Sequence, residues 1–336
     1  MFHGVSAAPD SPMPKILLTG GTGFVGRPLL KALVSSRYQI INVVRKSTAT
    51  TLPDVQDYVI SSLSGENNWG ALLQGVEVVI HSAGRAHVMN ETHNNPLQAF
   101  RDVNVDATLN LARQASKAGV KRFVFISSVK VNGEETKASC PFTSSDTPAP
   151  LDDYGVSKLE AEQALMALAA QTLMEVVIIR PVLVYGPGVK ANFQKMLSFV
   201  SKGIPLPFRT INNRRSLIFI DNLIDFICLC IHHPAATNRV FLVSDGDDLS
   251  IGEILEKLSV AMNKKSRLFA FPQPALELLA SLIGKREFFQ RLCGSLQVDI
   301  TDAKERLGWK PPVSVDNALA ITARYYQEEQ SGAPHG

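Results

Sequence analysis

Tyr154 and Lys158, in the stretch "YGVSK", are the residues whose types and spacing most directly suggest chemistry. On a helix, positions i and i+4 share one face. A phenol titrates near about 10, so close to neutrality it is a poor base and a mediocre acid. An ammonium beside it stabilises the phenolate and lowers its pKa, which makes the tyrosine a usable acid–base group. Such a group needs a small hydroxyl at the end of a neighbouring strand. "FVFISSVKVNG" offers Ser127 and Ser128, and strand alternation turns only one of them toward the site.

A second constellation binds rather than reacts. "LLTGGTGFVGRPLL" places Gly20, Gly23 and Gly26 directly after a β-rich run and at the start of a helix, with Phe24 and Val25 in the same turn. Gly20 permits the tight turn, Gly23 lets a pyrophosphate approach the backbone, and Gly26 lets helix and strand pack closely. The helix N-terminus supplies amide donors and a positive dipole for phosphate. The next apolar run ends in "VVRKST". Binders of an unphosphorylated dinucleotide carry an acid at that place for the ribose 2′-hydroxyl. Arg45 and Lys46 stand there instead and suit a 2′-phosphate, so the sequence favours NADP(H), with NAD(H) as the other option.

These groups need a frame. "KILLTGG" (15–21), "YQIINVVR" (38–45), "VEVVIHSAG" (76–84), "KRFVFISSV" (121–129) and "EVVIIRPVLVYG" (175–186) read as strands, and 24–36, 96–119 and 154–171 as helices between them. The strand runs are continuously apolar, the pattern of a parallel sheet buried on both faces. The predicted fold is α/β: a Rossmann-type, doubly wound parallel sheet with a smaller, mostly helical C-terminal substrate domain. Residues 14–185 and about 216–248 would form the dinucleotide-binding domain. Residues about 186–215 and 249–330 would form the second, after a disordered lead-in over 1–13. Ligands of open α/β sheets bind beyond the carboxyl ends of the strands, which places the site between the two domains.

Composition narrows the class. Net charge is +3, and no run of like charge marks a nucleic-acid partner. Cys140, Cys228, Cys230 and Cys293 have neither metal-ligand nor disulfide-framework spacing, which fits a reducing, cytoplasmic compartment. The N-terminus lacks the pattern of a signal peptide. The most apolar run, "SLIFIDNLIDFICLCI", is interrupted by Asp221, Asn222 and Asp225 and is shorter than the roughly 18 residues of a membrane span.

Taken together, "TGGTGFVG", "VIHSAG", the asparagine of "DVNVDAT", "FVFISS", "YGVSK", "RPVLVYGPG", "RRSLIFIDNL" and "AKERLGWKPP" resemble the extended short-chain dehydrogenases/reductases, in their nucleotide-sugar epimerase/dehydratase/reductase branch. The resemblance implies several roles. Ser128, five residues before Gly133, becomes the catalytic serine beside Tyr154 and Lys158, and Asn104 the brace of the lysine. Ser82, Ala83 and Gly84 run along the cofactor, Pro181 borders it, and Ser62 and Leu63 stand where an adenine-contacting acid is expected. Arg85, Asn192, Phe193 and Arg215 join Ser128 and Tyr154 as substrate contacts, with Arg215 on the pyrophosphate and Arg214 facing solvent. Arg286 and Arg291 are candidates for a second pyrophosphate arginine. No metal is implied.

The expected substrate is a UDP-sugar and the expected assembly a homodimer through helices 96–119 and 154–171. Val129 and Lys130 replace the Asp–Glu pair of family dehydratases, which argues against dehydration. The favoured expectation is NADPH-dependent reduction of the C4 ketone of a UDP-4-keto-6-deoxy-N-acetylhexosamine in bacterial surface-polysaccharide biosynthesis. The alternative is a UDP-hexose 4-epimerase acting on UDP-glucose or UDP-N-acetylglucosamine. A non-catalytic dinucleotide-binding protein and a steroid or flavonoid reductase rank lower.

Overall fold

The computed structural model describes residues 14–46, 52, 54–86, 95–137, 139–282, 284 and 286–332. The expected lead-in over 1–13 lies outside the described residues. The strands are β1 (Lys15–Thr19), β2 (Gln39–Val44), β3 (Val55–Val59), β4 (Val76–His81), β5 (Arg122–Ile126), β6 (Glu175–Pro181), β7 (Leu183–Tyr185), β8 (Leu217–Phe219) and β9 (Arg239–Val243). Seven of them form one sheet in the order β3-β2-β1-β4-β5-β6-β9, and every pairing is parallel. The order reverses direction between β1 and β4, where open α/β sheets bind ligands.

Period-2 alternation sorts the strands onto two faces. Ile16, Leu18, Val78, Ile80, Val124 and Val177 pack on one side. There they meet Leu29 and Leu33 of α1 (Gly26–Ser35). Leu17, Val79, Phe123, Phe125, Val176 and Ile178 fill the other side. That face is covered in part by α3 (Ala107–Lys117), which follows α2 (Pro96–Arg101), and by α4 (Asp153–Ala169). The expected Rossmann-type, doubly wound architecture is what the chain forms.

Three local differences from the sequence reading have physical causes. The helix expected over 96–119 is interrupted by a π turn at Asp102–Asp106. The strand expected over 175–186 is two strands: β7 leaves the main sheet and pairs with β8. β3 ("VQDYV") escapes the sequence reading because it is a polar, largely exposed edge strand. The apolar run at 216–231 becomes β8 followed by α6 (Ile220–His232). Its polar interruptions are tertiary hydrogen-bonding groups: Asp225 accepts from Trp309 Nε1 at 3.0 Å, and Asn222 donates to Asp245 and to the Val313 carbonyl, each at 2.8 Å. Cys228, Cys230 and Cys293 are buried free thiols and Cys140 is exposed.

The remaining helices are α5 (Ala191–Ser201), α7 (Ile251–Ala261), α8 (Gln273–Leu282), α9 (Arg286–Cys293), α10 (Thr301–Leu307) and α11 (Val315–Ser331). A reciprocal capping box between Ser250 and Glu253 starts α7. Isolated bridges from Arg215 to Leu249 and Leu296, and from Phe142 to Val298, tie this region to the loops at the end of the sheet. Among the described residues no helix is long and apolar enough to cross a membrane.

Candidate active site

The glycine turn sits at the reversal of strand order. Gly20 has φ +79°, and a Cβ there would lie 2.7 Å from the Ala83 nitrogen. At Gly26 a Cβ would lie 2.0 Å from the Gly20 carbonyl oxygen. At these two glycines backbone approaches so closely that a side chain would collide with it, and at Gly21 the Asn42 side chain closes the turn. Val25 gives α1 no side-chain cap, and its first turn carries no acid. Its amide donors therefore face a place suited to an anion, and the residues fit the pyrophosphate of a dinucleotide. Phe24 is exposed at the rim, while Val25 packs on the core. Ser82 and Ala83 continue from β4, with the Ser82 and Ala83 amides held by the Thr19 backbone and hydroxyl at 3.2 and 3.3 Å.

The π turn aims Asn104. Its side chain is buried, accepts from the Arg85 amide at 2.8 Å, and donates to the Arg85 carbonyl at 3.0 Å and to Ser157 Oγ at 2.9 Å. Ser157 Oγ donates in turn to the Tyr154 carbonyl at 2.8 Å. A Cβ at Gly84 would fall 3.1 Å from Asn104 Oδ1 and 3.4 Å from Lys158 Nζ. Asn104, Gly84 and Lys158 thus meet at one point. The Arg85 guanidinium lies 5.5 Å from the centre of the Phe100 ring, and that ring meets Tyr154 edge-on at 6.2 Å.

Tyr154 lies at the start of α4, whose N-cap Asp152 accepts from the Gly155 amide at 2.7 Å. The Ser128 side chain acts on the Tyr154 hydroxyl and works to lower its pKa. Ser127 is turned away and donates to buried Glu162, so alternation leaves Ser128 facing the phenol. Lys158 is buried, donates to the Ile126 carbonyl at 2.8 Å, and sits 4.3 Å from the centre of the Phe125 ring. Burial lowers its pKa to about 8, opposed by the charge of Glu162.

The phenol departs from expectation. Burial, reinforced by the Asp152 charge, raises Tyr154 to about 12, and the Ser128 side chain only partly opposes this. In the chain alone, burial is the largest influence and favours the protonated phenol.

The other predicted residues occupy varied surroundings. Arg45 and Lys46 are exposed just beyond β2, Ser62 is exposed, and Leu63 is part-buried. Pro181 ends β6, opposite Val243. Asn192 is exposed on α5, but Phe193 is buried and stacked on Tyr185 at 5.2 Å. The Phe193 ring therefore belongs to the core, which corrects the expectation of a side-chain contact there. Arg215 donates to the Gly294 carbonyl at 2.9 Å, and burial lowers its pKa. Arg214 is exposed and paired with Glu253. Arg286 and Arg291 lie on α9, and their side chains fall outside the described residues.

The sequence reading missed a buried network beneath the site. Glu162 joins Ser127 to Arg180, and Arg180 reaches Asn132 Oδ1 at 2.9 Å. Arg180 and Glu162 are each nearly fully buried. The usable signal was one charge, Arg180, inside the otherwise apolar strand run "VVIIRPV". His81 is also buried. Thr19 and Thr108 hold its ring nitrogens at 2.7 and 2.9 Å, and burial lowers its pKa to about 3.

A glycine turn at the strand reversal, with a Ser–Tyr–Lys group beside it, is an arrangement suited to a dinucleotide-dependent enzyme. The model of the NAD dependent epimerase/dehydratase family matches residues 16–244, and the chain belongs to that family. It is 49% identical over 320 residues to the UDP-glucose 4-epimerase of Vibrio cholerae, covering 94% of this chain and 97% of that one. Among solved structures it resembles the Bordetella bronchiseptica enzyme WbmG in complex with NAD, with a TM-score of 0.74, 20% identity and 96% of both chains covered. It also resembles the Thermotoga maritima UDP-glucose 4-epimerase with UDP-glucose, with a TM-score of 0.72, 22% identity, and 94% of this chain and 99% of that one covered. At these identities the two structures speak for the fold.

Proposed function

We propose that the protein is a UDP-hexose 4-epimerase acting on UDP-glucose or a close relative. The observation that carries this reading is the 49% identity to a UDP-glucose 4-epimerase over almost the full length of both chains. It supports the alternative raised by the sequence over the reductase first favoured there.

A nicotinamide dinucleotide bound at the cradle would accept hydride from C4 of the sugar and return it. In this reading Gly20, Gly23, Phe24, Val25 and Gly26 hold its pyrophosphate, Ser62 and Leu63 border the adenine, and Ser82, Ala83, Gly84 and Pro181 line the path to the nicotinamide. Tyr154 takes the C4 hydroxyl proton and later gives one back. Ser128 hydrogen-bonds the C4 oxygen while its charge changes. Lys158 binds ribose hydroxyls and, as a cation on the same helix face, favours the phenolate form of Tyr154. Arg85, Asn192, the Phe193 backbone and Arg215 hold the nucleotide sugar, with the Arg215 fork on the pyrophosphate.

A reductase that consumes NADPH is the second reading. Arg45 and Lys46, exposed where a ribose-binding acid would stand, favour it. UDP-glucose with catalytic NAD, followed by NMR of the sugar, tests the first: inversion at C4 supports it. Its absence, together with stoichiometric oxidation of NADPH by a 4-keto UDP-sugar, would replace it with the second. Under the second reading, Arg45→Asp should swing cofactor preference about tenfold toward NAD(H), the scale of roughly 1.4 kcal/mol of lost phosphate contact.

A further inference from the structure

We propose that Lys130 is a positioning residue for the Tyr154 proton: it screens the phenol from Asp152, the carboxylate that caps the same helix. The inference rests on the reading of Tyr154 as the acid–base group.

Lys130 occupies one of the two positions at which this chain departs from the family's dehydratases. It lies on the 3₁₀ turn Val129–Val131, whose N-cap is Ser128, and its amide donates to Ser128 Oγ at 3.3 Å. Its ammonium contacts Asp152 Oδ2, and Glu134 Oε1 at 2.9 Å. Asp152 is fixed from its other oxygen by the Gly155 amide. One cation thus bridges two carboxylates, one of them two residues before Tyr154. The side chains of Lys130 and Glu134 are each 23% exposed and that of Asp152 33%, so solvent screens the trio only in part. Without Lys130 the trio would go from a net charge of −1 to −2, and a like charge disfavours a phenolate. The Asp152 charge raises the Tyr154 pKa even with Lys130 in place.

The other charges around the phenol come from several elements. Lys158 and Glu162 lie below it on α4, and Glu162 is neutralised by Arg180. Asp153 and Glu160 on α4 act on Arg101 of α2, and Glu160 pairs with it. Arg85 approaches over Phe100. His81, behind Lys158, is held neutral near pH 7. Lys130 is the cation that touches Asp152.

The test is to titrate Tyr154 directly in the NAD-loaded, full-length protein carrying ¹³Cζ-labelled tyrosine, with Tyr154→Phe assigning its signal among the six tyrosines. Lys130→Met should raise the Tyr154 midpoint by about half a pH unit or more, the scale expected for a partly screened charge within a few ångströms. Lys130→Arg should hold the midpoint, Asp152→Asn should lower it, and the double variant Lys130→Met/Asp152→Asn should bring it back toward wild type. Lys130→Gln is measured in parallel in case methionine unsettles the loop. A folded Lys130→Met or Lys130→Gln protein with an unmoved midpoint overturns the proposal, because a purely structural lysine would alter turnover without moving the titration. If Tyr154→Phe keeps full turnover, the acid–base reading fails instead, and the titration still decides whether Lys130 screens the phenol.

Discussion

The two ends of the site are built differently. Around Tyr154, the proposed function rests on regular elements: four helical positions separate the phenol from Lys158, and one strand end presents Ser128. Around Arg215, it rests on contacts between distant segments. The Arg215 backbone bridges to Leu249 and Leu296, and its guanidinium donates to the Gly294 carbonyl. Asn213 holds the same junction, donating to the Leu292 and Gly294 carbonyls at 3.3 and 3.1 Å and accepting from the Ile251 amide at 2.9 Å. A site on regular elements is disturbed one chemical group at a time. A site on a junction is disturbed by whatever loosens the junction.

The largest effect should come at the regular end. Tyr154→Phe removes one hydroxyl and should lower kcat about 10²- to 10⁴-fold while dinucleotide binding, followed by fluorescence titration, is preserved. Equal loss of both would mean that the regular end is as fragile as the junction. At the junction, Arg215→Ala should raise KM for the UDP-sugar about 10- to 100-fold, the worth of one or two charge-assisted hydrogen bonds, and change kcat much less.

Stability against pH tests the sheet itself. His81 has a folded pKa lowered to about 3 by burial, below its unfolded value near about 6.5. The unfolded chain therefore binds more protons between these values, so the contribution of the neutral ring is intact above about 6.5 and lost as pH falls toward 3. Between pH 6 and 5, unfolding free energy should drop by up to about 1.4 kcal/mol from this residue. Denaturant melts at both pH values should show the drop in the wild type and a smaller one in His81→Gln. The smallest effect on substrate binding should come from Asn213→Ala. It leaves Arg215 in place yet should raise KM for the UDP-sugar several-fold and cost about 1–3 kcal/mol of stability. An unchanged KM would show that Arg215 holds its aim without the junction.

The same contrast explains what was legible in the sequence. Gly20, Gly23 and Gly26, the Tyr154–Lys158 spacing and the apolar runs of β1, β4, β5 and β6 are local patterns, and the structure places them as the sequence implied. The family resemblance singled out Asn104, yet the π turn that aims it has no signature in "DVNVDAT". Arg180–Glu162 and Lys130–Asp152 pair across 18 and 22 positions, and nothing in local spacing announces such partners. The effect of burial on the Tyr154 pKa is hidden for a related reason: desolvation depends on everything packed around a group, while spacing reports only one neighbour.

The π turn at Asp102–Asp106 carries its information as chain length. Each of its hydrogen-bonded loops spans one residue more than an α-helical loop. Deleting a single residue from it would let α2 and α3 merge into one uninterrupted helix, a gain in regularity. The faces of α2 and α3 would keep their relation, because the wider turn already absorbs the extra residue, but the side chains inside the segment would be redirected. Asn104 would swing away from Arg85 and Ser157 even though every residue type needed for the site was still present. In this segment the count of residues matters as much as their identity, and a variant one residue shorter could fold well and still lose its function.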